Sequence, residues 1–329
     1  MYTDQRLADY FEQTASTGTF SGVILSAHRG EIRYLRAFGL ANREHGVPNT
    51  TETRFLIASI SKPITALAVM LLEEQGRLRV TDTARTYLPE IAELDERITI
   101  HHLLTHTSGL SDFEGLPGYF ETSGKLSFVN EAIFGLIAGE LPDFLPGEGW
   151  SYCNTGYNAL GLIIDRTAGM PYEQFVHSRL LEPLGMADTG FAESERIIPR
   201  LAGAYTEKAQ EIVKAPFLAA ENFRASGSMY STAEDLLKLD RVFTGGHHAI
   251  TREDTIKRML TQHAFAQTRY YGYGLSLYEH SYGHGGSLPG CRCIYRHYPA
   301  QDRTFIFLSN CDFGGTDDLL RGAETILYA

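Results

Sequence analysis

Ser59-Ile60-Ser61-Lys62 places a hydroxyl and an amine at i and i+3, positions whose side chains meet on one face of a helix. A serine hydroxyl is a weak nucleophile near neutral pH and needs a neighbouring base to take its proton. A lysine that is desolvated and close to another cation can lose its charge and serve as that base. The apolar run Pro63 to Leu72 predicts a helix with Ser59 at its N-terminal end. Unpaired backbone N–H groups and the macrodipole there favour a developing oxyanion. Alone, the pattern is also what an N-capping serine and a solvated lysine would produce. Two later clusters add chemistry to it: Tyr152-Cys153-Asn154, and His284-Gly285-Gly286-Ser287 on a predicted strand.

The elements that must position these residues can be read along the chain. A helix over 4–14 precedes strands at 21–27 and 32–37, joined by a tight turn at His28-Arg29-Gly30-Glu31. Helices and long loops dominate from Thr81 to about Phe223, with Thr99 capping a helix over 100–107 and further helices over 158–168 and 172–181. Ser231-Thr232-Ala233-Glu234 has the form of a capping box for a helix over 233–243. Strands return at 271–278, 282–286, 291–298 and 304–309, and a helix over 316–327 closes the chain. Strands at both ends with helices between predict an α+β fold: one antiparallel sheet built from both chain ends, flanked by helices, plus a mainly helical second lobe. The expected division is 1–80 with 225–329 for the sheet lobe and 81–224 for the helical lobe. The site is expected in the cleft between them.

Composition narrows the partners. A net charge of −11 argues against nucleic acid or an anionic membrane surface. No apolar run approaches the roughly 20 residues that cross a bilayer, and residues 1–6 show no basic stretch leading into an apolar one. The expected location is the cytoplasm, with an exported form lacking its leader as the alternative. Cys153, Cys291, Cys293 and Cys311 form no C-x-x-C pair, so free thiols are expected, with Cys291 and Cys293 on one strand face. His102 and His106 stand at i, i+4, but without an H-E-x-x-H pattern they are read as structural, and neither a metal nor a cofactor is expected. Asp95, Glu96, Glu193 and Glu195 are read as solvated. Tyr271 and Tyr273 could equally line a pocket or pair across strands.

S-x-x-K, Y-x-N and H-x-G, in that order and with these separations, resemble the penicillin-recognising serine hydrolases: class C β-lactamases, D,D-carboxypeptidases and related esterases and D-aminopeptidases. The segments Ile98 to Leu110, Pro183-Leu184-Gly185-Met186 and Ser226 to Thr232 resemble the same branch, so the likeness covers nearly the whole chain. The resemblance implies a β-lactamase/transpeptidase-like fold and a covalent acyl-enzyme on Ser59. It implies catalytic roles for Lys62 and Tyr152, either of which could be the base, since a phenol beside a lysine cation can have its pKa lowered. Asn154 would offer its amide to a substrate carbonyl and its oxygen to Lys62. The backbone N–H groups of Ser59 and Ser287 would form the oxyanion hole, and Gly285 and Gly286 would let substrate backbone pass closely.

His284 stands where class C β-lactamases carry lysine. An imidazole titrating near 6.5 is no permanent cation for a β-lactam carboxylate, and it should leave a limb in the pH profile. The expected function is therefore hydrolysis of a small ester, D-amino-acid amide or peptide, ahead of a class C-type β-lactamase. A penicillin-binding sensor that acylates without useful turnover is the alternative from another class. The expected partner is a small-molecule or short-peptide acyl substrate, with the oligomeric state left open.

Overall fold

The computed structural model describes residues 2–329 apart from 17, 19, 129 and 246–249. Helix α1 (Tyr2–Ala15) leads into strands β1 (Gly22–His28) and β2 (Glu31–Phe38). The second half supplies β3 (Ala264–Ala266), β4 (Arg269–Tyr271), β5 (Ser276–Leu277), β6 (Tyr282–Leu288), β7 (Cys291–Tyr298) and β8 (Arg303–Ser309). They form one antiparallel sheet in the order β3-β4-β5-β6-β7-β8-β1-β2. Its two sources join where β1 pairs with β8, from Gly22 opposite Ser309 to His28 opposite Arg303. The chain is thus α+β, with its main sheet completed by both ends, as the sequence predicts.

Period-two alternation sorts the sheet residues to its two faces. Ile24, Phe305 and Phe307 pack against Leu7 and Phe11 of α1 and Leu319 and Ala323 of the closing helix (Thr316–Tyr328). Val23, Leu25, Ile306 and Leu308 face the other way, into the larger core. That core is organised by α2 (Ser61–Glu74), whose residues 61–72 are all buried. A helix apolar on every side belongs in an interior, because no face of it gains from water. α3 (Ile100–Thr105), α4 (Asn154–Ala168) and α5 (Ala233–Phe243) complete the surroundings, and the closing helix is α6. Among the described residues no helix is long and apolar enough to cross a membrane.

Three expectations need correction. The run 271–278 is not one strand: it folds into β4 and β5 around a turn at Gly274, whose φ is +74°. A Cβ there would lie 2.8 Å from the Lys62 carbonyl oxygen, so the turn packs directly on the backbone of α2. The cap of α5 is Thr232, whose hydroxyl accepts from the Asp235 N–H at 3.3 Å, because Ser231 is still in a strand. α4 starts at Asn154, four residues earlier than its apolar periodicity suggests, which makes Cys153 its N-cap. Thr99 does cap α3, reciprocally with His102.

Besides the pairing of Leu40–Asn42 with Val47–Pro48, two small sheets escaped the sequence reading. One is a hairpin, Tyr205–Lys208 with Glu211–Lys214. The other pairs Phe55–Leu56 and Gly190–Phe191 with Met229–Ser231, and it fixes the segment that enters Ser59. That segment also packs on β6. A Cβ on Gly286 would lie 2.1 Å from the Ile57 carbonyl oxygen. Gly286→Ala should therefore push β6 away from the Ser59 turn. A displacement of about 1 Å costs on the order of 10²-fold in rate, so kcat/KM on an ester should fall at least that far. The melting temperature should drop as well, by overpacking of about 1–3 kcal/mol. A variant with wild-type kinetics would show that this contact does not set the geometry.

Candidate active site

Ser59 sits in a tight helical turn, Ala58–Ile60, that runs straight into α2. Ala58 just before it has φ +46°, a conformation that costs a non-glycine residue about 1–3 kcal/mol and persists only when its surroundings enforce it. The enforcement is visible. The Ile57 N–H donates to the Met229 carbonyl at 2.9 Å, the Ser61 hydroxyl donates to the Ala58 carbonyl at 2.7 Å, and the Met229 N–H donates to the Ser61 hydroxyl at 3.3 Å. Ser59 is thereby held partly exposed at a cleft of about 450 Å³, whose walls include Glu114, Tyr152, His284, Gly285 and Ser287.

Lys62 is fully buried one turn further on, its Nζ 3.2 Å from the Ser59 Oγ. It donates to the Asn154 Oδ1 at 2.7 Å and to the Ser226 carbonyl at 2.8 Å. Burial pulls its pKa down to about 7, against the opposing pull of Asp112 and Glu114. The nitrogen lies over two aromatic faces, 4.6 Å from the Tyr152 ring centre and 5.2 Å from that of Tyr157.

Tyr152 departs from expectation. Lys62 meets its ring face, and burial holds the phenol well above its ordinary range, against a smaller pull from the Ser59 hydroxyl. Its hydroxyl is sealed from solvent and makes no hydrogen bond of ordinary geometry among the described residues, Ser59 included. The lysine therefore does not activate the phenol by lowering its pKa.

Asn154 reaches Lys62 with its oxygen, as expected, but its amide nitrogen is engaged inside the protein. It donates to the Asp112 Oδ2 at 3.1 Å and, in a short contact, to the Glu114 Oε2. Asp112 also accepts from the Asn154 N–H at 2.8 Å and the Thr155 N–H at 3.1 Å. The carboxylate thus fills the anion-favouring N-terminus of α4 and fixes the Asn154 rotamer. Burial raises the pKa of both acids, that of Glu114 to about 7.

His284 is buried on β6, with both ring nitrogens committed. Its Nδ1–H donates to the Gly285 carbonyl at 2.6 Å, and its Nε2 accepts from the Tyr271 hydroxyl at 2.9 Å. A carbonyl can only accept, so Nδ1 keeps its proton, and in the neutral ring Nε2 is left to accept from the Tyr271 hydroxyl. Burial, with help from the Lys62 charge, pulls the pKa to about 3. The expected limb near neutrality is overturned: this imidazole stays uncharged through the working range. His284→Gln should keep the acid-side midpoint of kcat/KM measured from about pH 5 to about pH 9. Loss of that limb in the variant would show that the histidine titrates after all.

β5 pairs with β6 only at Tyr282 and Gly283, so beyond them that edge of β6 has no strand partner among the described residues. The Ser59 turn packs there, and Gly285 and Ser287 are exposed. Ser59, Lys62, Tyr152, Asn154, His284, Gly285, Gly286 and Ser287 are all brought to one place, although Gly286 serves strand packing.

Sequence reasoning missed Asp112, Glu114 and Ser226, whereas His106 keeps the structural role read for it. Asp112 and Glu114 lie in a loop with no periodicity to mark them, and Ser226 contributes only a carbonyl. His106 ends α3 with φ +61°, accepts the Cys153 N–H on Nδ1 at 3.0 Å, and stacks 4.3 Å from the Tyr152 ring. It supports the Tyr152-Cys153-Asn154 segment from beneath. Cys153 points its thiol at the Leu110 carbonyl, 3.2 Å away, and not into the cleft. Tyr271 joins the site through His284, whereas Tyr273 turns to His101 and stacks on His263. The Cys291 and Cys293 thiols share a face, 3.7 Å apart, and are free.

Comparison with known proteins agrees with this geometry. Penicillin-binding protein 4* of Bacillus subtilis is 32% identical over 352 residues, covering 98% of this chain and 76% of that protein. Esterase EstB of Burkholderia gladioli is 37% identical over 204 residues, 58% of this chain and 52% of that one. Among solved structures, EstCE1, a hydrolase with promiscuous acyltransferase activity, superposes with a TM-score of 0.87 at 25% identity, covering 100% of both chains. The Beta-lactamase family model matches residues 7–329. That match over residues 7–329, with a buried lysine beside a serine that follows the strained Ala58, places this protein in the β-lactamase family, among the penicillin-binding-protein-like serine hydrolases.

Proposed function

We propose that the chain hydrolyses small esters and amides through a covalent acyl-Ser59 intermediate, in the cleft between a sheet lobe (1–80 with 225–329) and a mainly helical lobe (81–224). The carrying observation is the surroundings of the Lys62 nitrogen. A neutral amine has two N–H donors and one lone pair. The Asn154 oxygen and the Ser226 carbonyl only accept, so they take both donors. The lone pair is then left for the Ser59 hydroxyl, 3.2 Å away. Lys62 is thus the base, and its lowered pKa supplies the neutral form at ordinary pH.

In the first step Ser59 Oγ bonds to the substrate carbonyl carbon and its proton passes to Lys62. Collapse of the tetrahedral adduct breaks the bond to the leaving alcohol or amine, which takes the proton back from Lys62. Water then attacks the acyl ester, giving up a proton to Lys62, and Ser59 recovers its hydrogen from Lys62 as the acid departs. The Ser59 and Ser287 N–H groups are assigned to the oxyanion, a role supported by the unpaired edge of β6 beside the Ser59 turn.

The neutral His284 ranks an esterase or D-stereospecific amidase or peptidase above a β-lactamase, since it offers a substrate carboxylate no charge. Positive charge in the cleft comes from Arg269, Arg292 and Arg296, of which Arg292 is paired with Asp317. The Arg296 guanidinium lies 3.5 Å over the Tyr278 ring and lines the cleft, which favours carboxylate-bearing peptides as the second reading. A panel of p-nitrophenyl esters, D- and L-amino-acid anilides and nitrocefin tests the ranking. Nitrocefin turnover above that of simple esters would overturn it, and a stoichiometric burst without turnover would favour a sensor.

A further inference from the structure

The two acceptors that aim Lys62 come from segments far apart in sequence. The Asn154 oxygen sits at the start of α4, and the Ser226 carbonyl belongs to a separate helical turn, Arg224–Gly227. α2 meets that turn at two consecutive carbonyls, because Thr65, one turn after Lys62, donates to the Ala225 carbonyl at 2.6 Å. The turn is also tied to α4, through the side chain of its first residue. Arg224 is only 13% exposed, and all three of its guanidinium nitrogens are engaged. Nη1 and Nη2 donate to the two Asp165 oxygens at 2.7 and 2.8 Å, while Nε and Nη2 donate to the two Glu173 oxygens at 2.7 and 3.1 Å. Asp165 also accepts the Tyr172 N–H at 2.6 Å, which joins the short helix Tyr172–Val176 to the same node. Asp165 lies about three turns along α4 from Asn154. Between them, a Cβ on Gly161 would lie 2.8 Å from the Ala225 Cβ, so the backbone of α4 rests directly on the turn.

Resting on the reading of Lys62 as the base, we propose that Arg224 is a positioning residue for the reaction. Its double fork fixes the Ser226 carbonyl relative to the Asn154 oxygen and so keeps the Lys62 lone pair on Ser59. Arg224 touches none of the reacting atoms and acts through the carbonyl two residues on. A neutral amine whose two N–H donors are both taken has one direction left for its lone pair, so moving either acceptor turns that lone pair off the serine. The tie depends on the guanidinium: its planar fork meets both oxygens of a carboxylate, whereas a lysine is a point charge on a flexible stem. The same turn also closes over the Lys62 nitrogen. Letting it drift would rehydrate the amine, and burial is what pulls that pKa down to about 7.

The test is Arg224→Lys, which keeps the charge and loses the fork, assayed on p-nitrophenyl butyrate across pH. Its kcat should fall by roughly 10- to 100-fold with KM within about twofold of wild type, as a base misplaced by up to about 1 Å would give. The midpoint of the acid-side limb should rise by about half a unit or more as the amine regains water. That midpoint answers to the surroundings of Lys62, so a loss of global stability alone does not move it. Glu173→Gln weakens one arm and should move kcat and midpoint the same way by less, which keeps the proposal testable where Arg224→Lys folds poorly. Arg166→Gln removes two ion pairs from the same helix, to Glu90 and Glu131, and should leave both quantities at their wild-type values. A wild-type midpoint in Arg224→Lys, whether or not the rate falls, overturns the proposal. So does a Glu173→Gln variant identical to wild type, or an equal shift in Arg166→Gln. A wild-type enzyme without an acid limb, or a limb that survives Lys62→Arg, overturns the reading of Lys62 as base and this proposal with it.

Discussion

Ser59→Ala should lower kcat on p-nitrophenyl butyrate by roughly 10⁵-fold or more, since removal of the nucleophile from a covalent hydrolase forfeits the whole acyl-transfer path. The fold should survive, because what the Ser59 hydroxyl touches is the cleft and one lysine nitrogen. The turn itself is held by Ile57, Ala58, Ser61 and Met229. A circular dichroism spectrum matching the wild type, with turnover lost, is the expected pair of results. Residual activity within about tenfold of wild type would mean that the bond is cut by something else, because positioning alone recovers only a fraction of catalysis.

The second large effect concerns Lys62. Lys62→Arg keeps a cation one turn from Ser59 but cannot give a neutral base, because guanidinium does not deprotonate in proteins. Its kcat/KM should fall by roughly 10²–10⁴-fold, the usual contribution of a general base. The sign of the pH dependence follows from burial. Lys62 is pulled down to about 7, so its active neutral form grows as pH rises through that value. Wild-type kcat/KM should climb to a plateau above about pH 7, and the climb should vanish in Lys62→Arg. A variant that keeps both rate and limb would transfer the base role to another group, Tyr152 first.

How far the sequence reached is clearest from where each residue takes its meaning. Ser59, Lys62, Tyr152, Asn154 and His284 were legible because their side chains carry the chemistry and their separations carry the resemblance. The sheet was legible from alternation, and α2 from an apolar run too long for a strand. What stayed hidden depended on partners distant in sequence. Whether His284 is charged rests on its burial and on the Lys62 charge nearby, neither visible in the His-Gly-Gly pattern. Whether the lysine activates the phenol depended on which part of Tyr152 it meets, and it meets the ring face. Asp112 and Glu114 gave no signal, since acidic residues in an aperiodic loop read as solvated until the fold closes over them. The turn at Gly274 was missed for the opposite reason. Its neighbours Tyr271, Tyr273, Leu275 and Leu277 keep the alternation of a strand, while the glycine answers to the backbone of α2.

The central claim is that an acyl group spends part of each turnover on Ser59, and rapid-quench mass spectrometry tests it most directly. Protein mixed with p-nitrophenyl butyrate and quenched in acid should gain the mass of one butyryl group. Peptide mapping should place that group on Ser59, and the adduct should be absent from Ser59→Ala. An adduct mapped to any other residue, or steady turnover with none trapped even when deacylation is slowed at low temperature, would contradict the account.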